Sequence, residues 1–166
     1  MMDESAIFHA LKKHYCQEHG NGQRYAILPA VRNYCGFCKG KRNGHREADA
    51  VLLSLWRSDG LKITGFEVKV SRSDYKQELR DPEKWKGVGK YCDAWYIAAP
   101  DGLLDPDDVS PPWGLITVDA EGKVHKRKFA SVLSPVPLDR EFIVQIFKGW
   151  AWQCEIQEHH GGGATP

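Results

Sequence analysis

The feature that most constrains the fold is a pair of apolar, strand-like runs at residues 48–56 and 61–71, separated only by residues 57–60. Runs of this length that are rich in Val, Leu, Ile and Phe are typical of buried strands. The connection contains an Asp-Gly pair, which favours a tight hairpin and therefore antiparallel pairing. The sequence thus predicts a β-sheet with these two strands at its centre.

Other patterns predict the elements around this pair. Apolar residues recur at helical spacing over residues 4–18, with Asp3 or Ser5 as the N-cap, and a strand follows at 24–31. Downstream we predict a helix from Asp74 capped by Ser73, a break at Asp81-Pro82, a strand at 94–99, a hairpin of 114–119 with 123–129, and a helix at 138–153. This order predicts an α/β (α+β) fold, a mixed β-sheet flanked by helices.

Length and composition indicate one globular domain. The chain has 166 residues, of which 42% are hydrophobic and 27% charged, so we expect a single domain over residues 1–158 and a flexible tail over 159–166. No apolar run reaches the length that spans a bilayer, and the acidic start lacks the basic and apolar regions of a secretory signal. We therefore expect a soluble, cytoplasmic protein with no membrane contact.

Glu67 and Lys69 form an acid and base pair on the second central strand. Successive side chains of a strand point to opposite faces, so these two share one face. Asp49 lies in the neighbouring run, where pairing could bring its carboxylate beside Glu67. Two carboxylates can hold a divalent cation, and an adjacent lysine can steady a water that attacks a phosphodiester. The pattern predicts a metal-dependent nuclease site, with a solvated sheet face as the alternative.

Charge distribution is the second indication of a nucleic-acid partner. The net charge is only +1, from 23 Lys and Arg against 22 Asp and Glu, so local clusters must carry any attraction to phosphate. One basic cluster consists of Arg32, Lys39, Lys41, Arg42 and Arg46, whereas Asp101, Asp105, Asp107 and Asp108 form an acidic loop. Arg72, Lys76, Arg80 and Lys84 follow at intervals of four and would form a basic helical stripe if the segment stays roughly helical through the predicted break, with a solvated face as the alternative.

Several segments resemble the PD-(D/E)xK nuclease superfamily, in particular its small bacterial and phage members of the DNA-repair type. The segments are Arg46-Glu47-Ala48-Asp49-Ala50, Gly65-Phe66-Glu67-Val68-Lys69-Val70-Ser71-Arg72-Ser73-Asp74, Tyr91-Cys92-Asp93 and Trp113-Gly114-Leu115-Ile116. The resemblance covers residues 25–130 and implies a restriction-endonuclease-like core. It also implies an enzyme that hydrolyses DNA in phage or bacterial DNA metabolism or repair.

The resemblance assigns roles to individual residues. Asp49 and Glu67 would be carboxylate ligands of Mg²⁺ or Mn²⁺, with the backbone carbonyl of Val68 beside them, and Lys69 would be the catalytic lysine. If burial near the cation depresses the pKa of Lys69, the amine would orient or deprotonate the attacking water. Ala48 stands where the superfamily has proline, a departure that removes no ligand.

Other family features are less determined by the sequence. A glutamate on the first helix often joins the site, and either Glu4 or Glu18 could fill that position. The DNA-contacting residues would come from the basic loop and from the start of the second helix. The predicted set is Arg32, Lys41, Arg42, Arg46, Ser71, Arg72, Lys76 and Arg80.

Cysteine and histidine spacing predicts a structural zinc site. Five cysteines in a reducing compartment argue against a disulfide framework. The C-x2-H-x15-C-x2-C pattern is typical of zinc ligands, and its second half lies in the loop at 33–45 and resembles a zinc knuckle. The predicted ligands are Cys16, His19, Cys35 and Cys38, with His14 and His45 as substitutes, while unliganded cysteines are the alternative and Cys92 and Cys154 are expected to be buried.

Two further functions remain open at this level. One is a nucleic-acid-binding module that has the nuclease fold without activity. The other is a partner-binding protein with exposed tryptophan anchors, although tryptophans are more often core residues. The tryptophans concerned are Trp85, Trp95, Trp113, Trp150 and Trp152. Whether the DNA substrate is single- or double-stranded, and whether the protein dimerises, is left open.

Overall fold

A computed structural model describes residues 2–17, 24–35, 46–81 and 83–160, with side chains of the last helix up to Gln153. The helices are α1 (Glu4–Cys16), α2 (Arg72–Glu78), α3 (Lys86–Gly89) and α4 (Arg140–His160). The strands are β1 (Tyr25–Arg32), β2 (Glu47–Ser54), β3 (Ile63–Val68), β4 (Ala94–Pro100), β5 (Gly114–Val118) and β6 (Val124–Lys128). Short 3₁₀ turns occupy Arg57–Asp59 and Pro106–Asp108.

The six strands form one mixed sheet in the order β1-β2-β3-β4-β5-β6. β1, β2 and β3 pair antiparallel, β4 pairs parallel with both β3 and β5, and β6 returns antiparallel to β5. Parallel neighbours need a crossover, and α2 and α3 supply the one between β3 and β4. The prediction of a mixed sheet flanked by helices is confirmed.

Helices cover the two faces of the sheet unequally. Ile7 and Leu11 of α1 pack with Phe66 and Val68 of β3 in one core cluster. The other cluster contains residues from α2, α3 and α4, including the buried Tyr75, Val88 and Phe142. Since Glu67 and Lys69 alternate with Phe66 and Val68, the two charged side chains lie on the face covered by α2, as strand periodicity predicts.

The connection between β2 and β3 differs from the predicted tight hairpin. It forms a 3₁₀ turn at Arg57–Asp59, followed by Gly60 and Leu61 at φ +80° and +52°. The longer turn shortens both strands relative to the predicted runs. The antiparallel pairing itself is confirmed by the register, in which Leu53 lies opposite Ile63.

The N-terminus of α2 also corrects the sequence prediction. The cap is Ser71, whose Oγ accepts the Asp74 N–H at 3.1 Å, and not Ser73. Ser73 instead hydrogen-bonds to the Ser71 hydroxyl at 2.8 Å. The predicted interruption follows α2, which ends at Glu78, while Pro82 lies outside the described residues.

Helix α4 is longer than predicted and presents an apolar outer surface. It continues to His160, so the expected tail is helical at 159–160, and 161–166 lies outside the described residues. Trp150 and Trp152 are 50% and 55% exposed, which contradicts their expected place in the core, whereas Trp95 and Trp113 are buried as expected. In the described part of the chain no helix combines the length and apolarity needed to cross a membrane.

Candidate functional site

The predicted catalytic strand borders a pocket of about 350 Å³. The pocket lies where β2 begins and β3 ends, beside the segment that joins α2 to α3. Its lining residues are Tyr34, Arg46, Glu47, Asp49, Glu67, Asp81 and Lys84. Two of the three predicted catalytic residues therefore face one cavity, and the third, Lys69, packs behind Glu67.

Asp49 is held beside β3 by a backbone hydrogen bond. The pairing of β2 with β3 ends at Ala50 opposite Phe66. Beyond that pair the Val68 N–H donates to Asp49 Oδ2 at 2.7 Å. A carboxylate thus takes the position of a ladder carbonyl, which places Asp49 next to the backbone of Val68, the residue predicted to supply a carbonyl ligand.

Two carboxylates and two ammonium groups form a closed ring behind the pocket, which we call the four-charge ring: Glu67, Lys69, Glu78 and Lys84. Lys69 Nζ lies 2.8 Å from Glu67 Oε1 and 2.9 Å from Glu78 Oε2. Lys84 Nζ lies 2.9 Å and 2.8 Å from the same two oxygens. The glutamate side chains and Lys69 are at least 90% buried, and such buried charges are stable only when they are paired.

Burial raises the pKa values of the two pocket carboxylates. The pKa of Glu67 rises to about 7, mainly because the group is desolvated and also because Asp49 is negatively charged nearby. Burial likewise raises the pKa of Asp49, against the opposing effect of the Val68 hydrogen bond. A positive charge on the pocket side would therefore stabilise the ionised forms of both carboxylates.

The other members of the four-charge ring hold their charges. Burial would lower the pKa of Lys69, but attraction and hydrogen bonds from Glu67 and Glu78 outweigh it and raise that pKa. The pKa of Lys84 is raised in the same way. Burial acts to raise the pKa of Glu78, but hydrogen bonds from Lys84 and Lys69 reverse this and lower it. The ion pairs with Glu67 and Glu78 therefore favour the charged form of Lys69, and a depressed pKa beside a bound cation stays a prediction.

Each pocket carboxylate has one oxygen that could act as a ligand of a divalent cation. Asp49 Oδ1 and Glu67 Oε2 accept no hydrogen bond from the described residues, and both side chains line the pocket. Carboxylate and carbonyl oxygens are the ligands that Mg²⁺ and Mn²⁺ prefer. Within the same described residues, no group of three or more His, Cys, Asp and Glu side chains has metal-binding geometry, so the remaining ligands would be backbone oxygen and water.

One of the two first-helix glutamates is close enough to influence the site. The negative charge of Glu4 contributes to the raised pKa of Asp49, although its side chain is exposed at the start of α1. Glu18 lies outside the described residues. Glu4 therefore has an electrostatic connection to Asp49.

Several of the predicted DNA-contacting residues are already paired with carboxylates. Arg46 lines the pocket and pairs with Asp81 at 3.5 Å, while Arg32 pairs with Glu47. Arg72 lies 3.6 Å from Asp108, at the edge of the predicted acidic loop. Of the other predicted residues, Ser71 caps α2, Lys76 and Arg80 are exposed, and Lys41 and Arg42 lie outside the described residues.

The predicted basic stripe is not continuous. Lys84 turns inward to the four-charge ring and does not extend the row of Lys76 and Arg80. The reason is that α2 ends at Glu78, so spacing by four no longer keeps Lys84 on the same face. This part of the prediction is wrong.

The predicted zinc ligands are not brought together. Cys16 Sγ donates to the Tyr25 carbonyl at 3.5 Å, at the start of the eight-residue β1. Cys35 follows the other end of β1 and accepts from Gln145 of α4 at 3.2 Å. Eight strand residues span about 26 Å, whereas two sulfurs on one zinc ion lie within about 5 Å.

One zinc ion therefore does not bind both Cys16 and Cys35, and this ligand set is wrong. His19, Cys38 and the substitute ligand His45 lie outside the described residues. Cys92 is buried as expected, while the side chain of Cys154 is not described.

Sequence reasoning missed two members of the four-charge ring, Glu78 and Lys84. A signal for Glu78 exists, because it follows Tyr75 by three residues and so shares the apolar face of α2. Lys84 has no comparable local signal, since it lies in the connection between two helices. Its role depends on how α2 and α3 pack over the end of β3.

Comparisons with known proteins bear on the architecture alone and not on the chemistry of the site. No family of proteins matches the chain by sequence, and no curated protein matches it. A solved structure of a protein of unknown function from Silicibacter pomeroyi is similar, with a TM-score of 0.63 and 17% identity. The match covers 99% of this chain and 97% of that chain, so the two share an architecture over nearly their full lengths.

Proposed function

We propose that this chain is a Mg²⁺- or Mn²⁺-dependent DNA nuclease of the PD-(D/E)xK type, with a restriction-endonuclease-like core. The observation that carries the proposal is the convergence of Asp49 and Glu67 on one pocket, with Lys69 Nζ 2.8 Å from Glu67 Oε1. An arrangement of two carboxylates with a buried lysine suits the hydrolysis of a phosphodiester. The expected cytoplasmic location stays a prediction.

Each group has a role that follows from its position. Asp49, Glu67 and the Val68 carbonyl would hold the ion, which when bound neutralises phosphate charge and lowers the pKa of water. Lys69 is fixed from two sides by Glu67 and Glu78, so its ammonium keeps Glu67 oriented towards the pocket and offsets negative charge there. Preorganised charge of this kind lowers the barrier because it needs no rearrangement during the reaction.

The nuclease proposal is tested by incubating the purified protein with linear, circular and single-stranded DNA in Mg²⁺, Mn²⁺ or EDTA. We expect cleavage in the metal ions and none in EDTA. Lys69→Ala should reduce the cleavage rate by at least about 100-fold, the scale of one preorganised catalytic group. The matched control is Lys86→Ala, which removes an exposed lysine that pairs only with Glu83 in the described structure.

The competing candidate is a nucleic-acid-binding module without activity. It is favoured by the four-charge ring, in which both lysines are already paired with carboxylates. Salt-sensitive DNA binding without cleavage in any metal would support this candidate. Cleavage that survives Lys69→Ala unchanged would exclude the mechanism given above.

A further inference from the structure

The two lysines of the four-charge ring are not equivalent. Both contact Glu67 Oε1 and Glu78 Oε2 at 2.8–2.9 Å. The Lys69 side chain is only 10% exposed and packs behind the pocket, whereas Lys84 is 37% exposed and forms part of the pocket wall. One ammonium is therefore fixed in the interior, and the other has access to water and to a ligand in the pocket.

Lys84 occupies the position of a counter-ion for the site. Its charge stabilises Glu67, one of the two carboxylates that would hold a divalent cation. A cation at the pocket oxygens of Glu67 and Asp49 would be close to both ammonium groups and would repel both. Of the two, Lys84 can move away from Glu67, because its ammonium group would be hydrated outside the pocket. The ammonium group of Lys69 would remain buried without its partner, which is costly.

Glu78 makes this exchange feasible. It already holds Lys69 at 2.9 Å, and its other oxygen, Oε1, is buried without a hydrogen-bond partner among the described residues. When Lys84 leaves, Glu78 keeps an ammonium partner and Lys69 keeps a carboxylate. The interior pair therefore survives as a neutral unit.

We propose that Lys84 is an internal competitor of the metal ion, displaced from Glu67 when the ion binds and then free to bind the substrate phosphate. This proposal rests on the proposed nuclease function. Lys84 would contact the phosphate, whereas Lys69 would stay fixed beside Glu67. Glu78 is a positioning residue that retains Lys69. The ligand is a phosphodiester anion at the rim of the pocket.

The first experiment measures Mn²⁺ binding by calorimetry at pH 8 without nucleic acid. Removing the competing charge should make Lys84→Ala bind Mn²⁺ about tenfold more tightly than the wild type, because neighbouring like charges repel each other in a half-buried site. Lys84→Arg keeps the charge and should bind like the wild type. Lys86→Ala is the control for loss of a lysine in the same segment, and thermal unfolding verifies that each variant is folded.

The outcomes separate the two proposals. Equal or weaker Mn²⁺ binding by folded Lys84→Ala, with normal binding by the wild type, overturns the exchange and leaves the nuclease function standing. Absence of Mn²⁺ binding in both proteins overturns the exchange and the metal-dependent function together.

The second experiment measures the affinity of a labelled oligonucleotide as a function of salt, in Ca²⁺ and in EDTA. In Ca²⁺, which takes oxygen ligands like Mg²⁺, Lys84→Ala should lose about one phosphate contact and so reduce the salt slope by about 1. In EDTA the slope should be unchanged, because Lys84 is then held by Glu67 and Glu78. A purely structural role would not depend on metal in this way, so an equal loss in both conditions, or none in either, overturns the proposal.

Discussion

Asp49 uses its two carboxylate oxygens for different purposes. Oδ2 accepts the Val68 N–H at 2.7 Å, while Oδ1 accepts no hydrogen bond from the described residues and is left for a ligand. The structural and chemical roles of this residue are therefore separable. An amide in place of this carboxylate would keep the hydrogen bond from the Val68 N–H and weaken the binding of a cation.

Asp49→Asn should preserve the fold and weaken metal binding. The amide oxygen can still accept from Val68, so the unfolding free energy should change by less than about 1 kcal/mol, the net value of one hydrogen bond. Mn²⁺ affinity should fall at least about tenfold, because a neutral amide replaces an anionic ligand. Denaturant unfolding and calorimetry measure the two quantities, and a folded variant whose Mn²⁺ affinity is unchanged would contradict this division.

Metal affinity should depend on pH through Glu67. Its pKa is raised to about 7, first by burial and then by Asp49, and only the ionised carboxylate binds a cation. Protons therefore compete with the metal below pH 7, so affinity should increase as pH rises through about 7 and level off above it. Calorimetry from pH 5.5 to 8.5 would show this, and an affinity that stays constant over the range would refute it, because a carboxylate with the ordinary pKa of Glu is already ionised there.

At the scale of elements, the separation of β2 and β3 creates the site. The strands pair as far as Ala50 and Phe66, and after that point a carboxylate replaces a backbone carbonyl. The pocket opens at this end because the strands no longer bond to each other there. α2 then closes the other side and contributes Glu78.

The start of α2 provides a direct test of the observed cap. Ser71→Ala should lower the unfolding free energy by about 1 kcal/mol, since the Asp74 N–H loses its acceptor. Ser73→Ala is the matched control and should cost less, because its hydroxyl bonds only to Ser71. Urea unfolding measures both, and a larger loss from Ser73→Ala would show that the helix begins where the sequence pattern placed its cap.

At the scale of the whole molecule, a net charge of +1 means that DNA attraction depends on where the cations lie. Lys76 lies on α2 and Arg80 two residues after its end, and both side chains are exposed. Arg57 and Lys62 are equally exposed but lie at the other end of β2 and β3. Replacing either pair removes two positive charges, so the two double variants differ only in where the charge is lost.

The double variant Lys76→Ala/Arg80→Ala should weaken DNA binding and reduce the salt slope by about 1.8, the value for two lost phosphate contacts on a duplex. Arg57→Ala/Lys62→Ala should leave the slope unchanged. Fluorescence anisotropy at several salt concentrations measures both. Equal slopes for the two variants would mean that the α2 residues form only a solvated face.

The sequence alone determined the features that depend on neighbouring residues. Strand alternation placed Glu67 and Lys69 opposite Phe66 and Val68, and helical and strand periodicity located the main elements in their order. These signals are reliable because backbone geometry over a few residues sets the direction of each side chain. The shared pocket of Asp49 and Glu67 also followed from the antiparallel pairing of adjacent strands.

Only the tertiary structure decided the contacts between distant segments. Lys84 and Glu78 joined Glu67 because α2 and α3 pack over the end of β3, and Cys16 and Cys35 were kept apart by the length of β1. Spacing along the chain carries no information about such distances, since a loop or a helix break can redirect every residue that follows it. The pairing of charges in the site is therefore a property of packing, while the residues available for pairing are a property of the sequence.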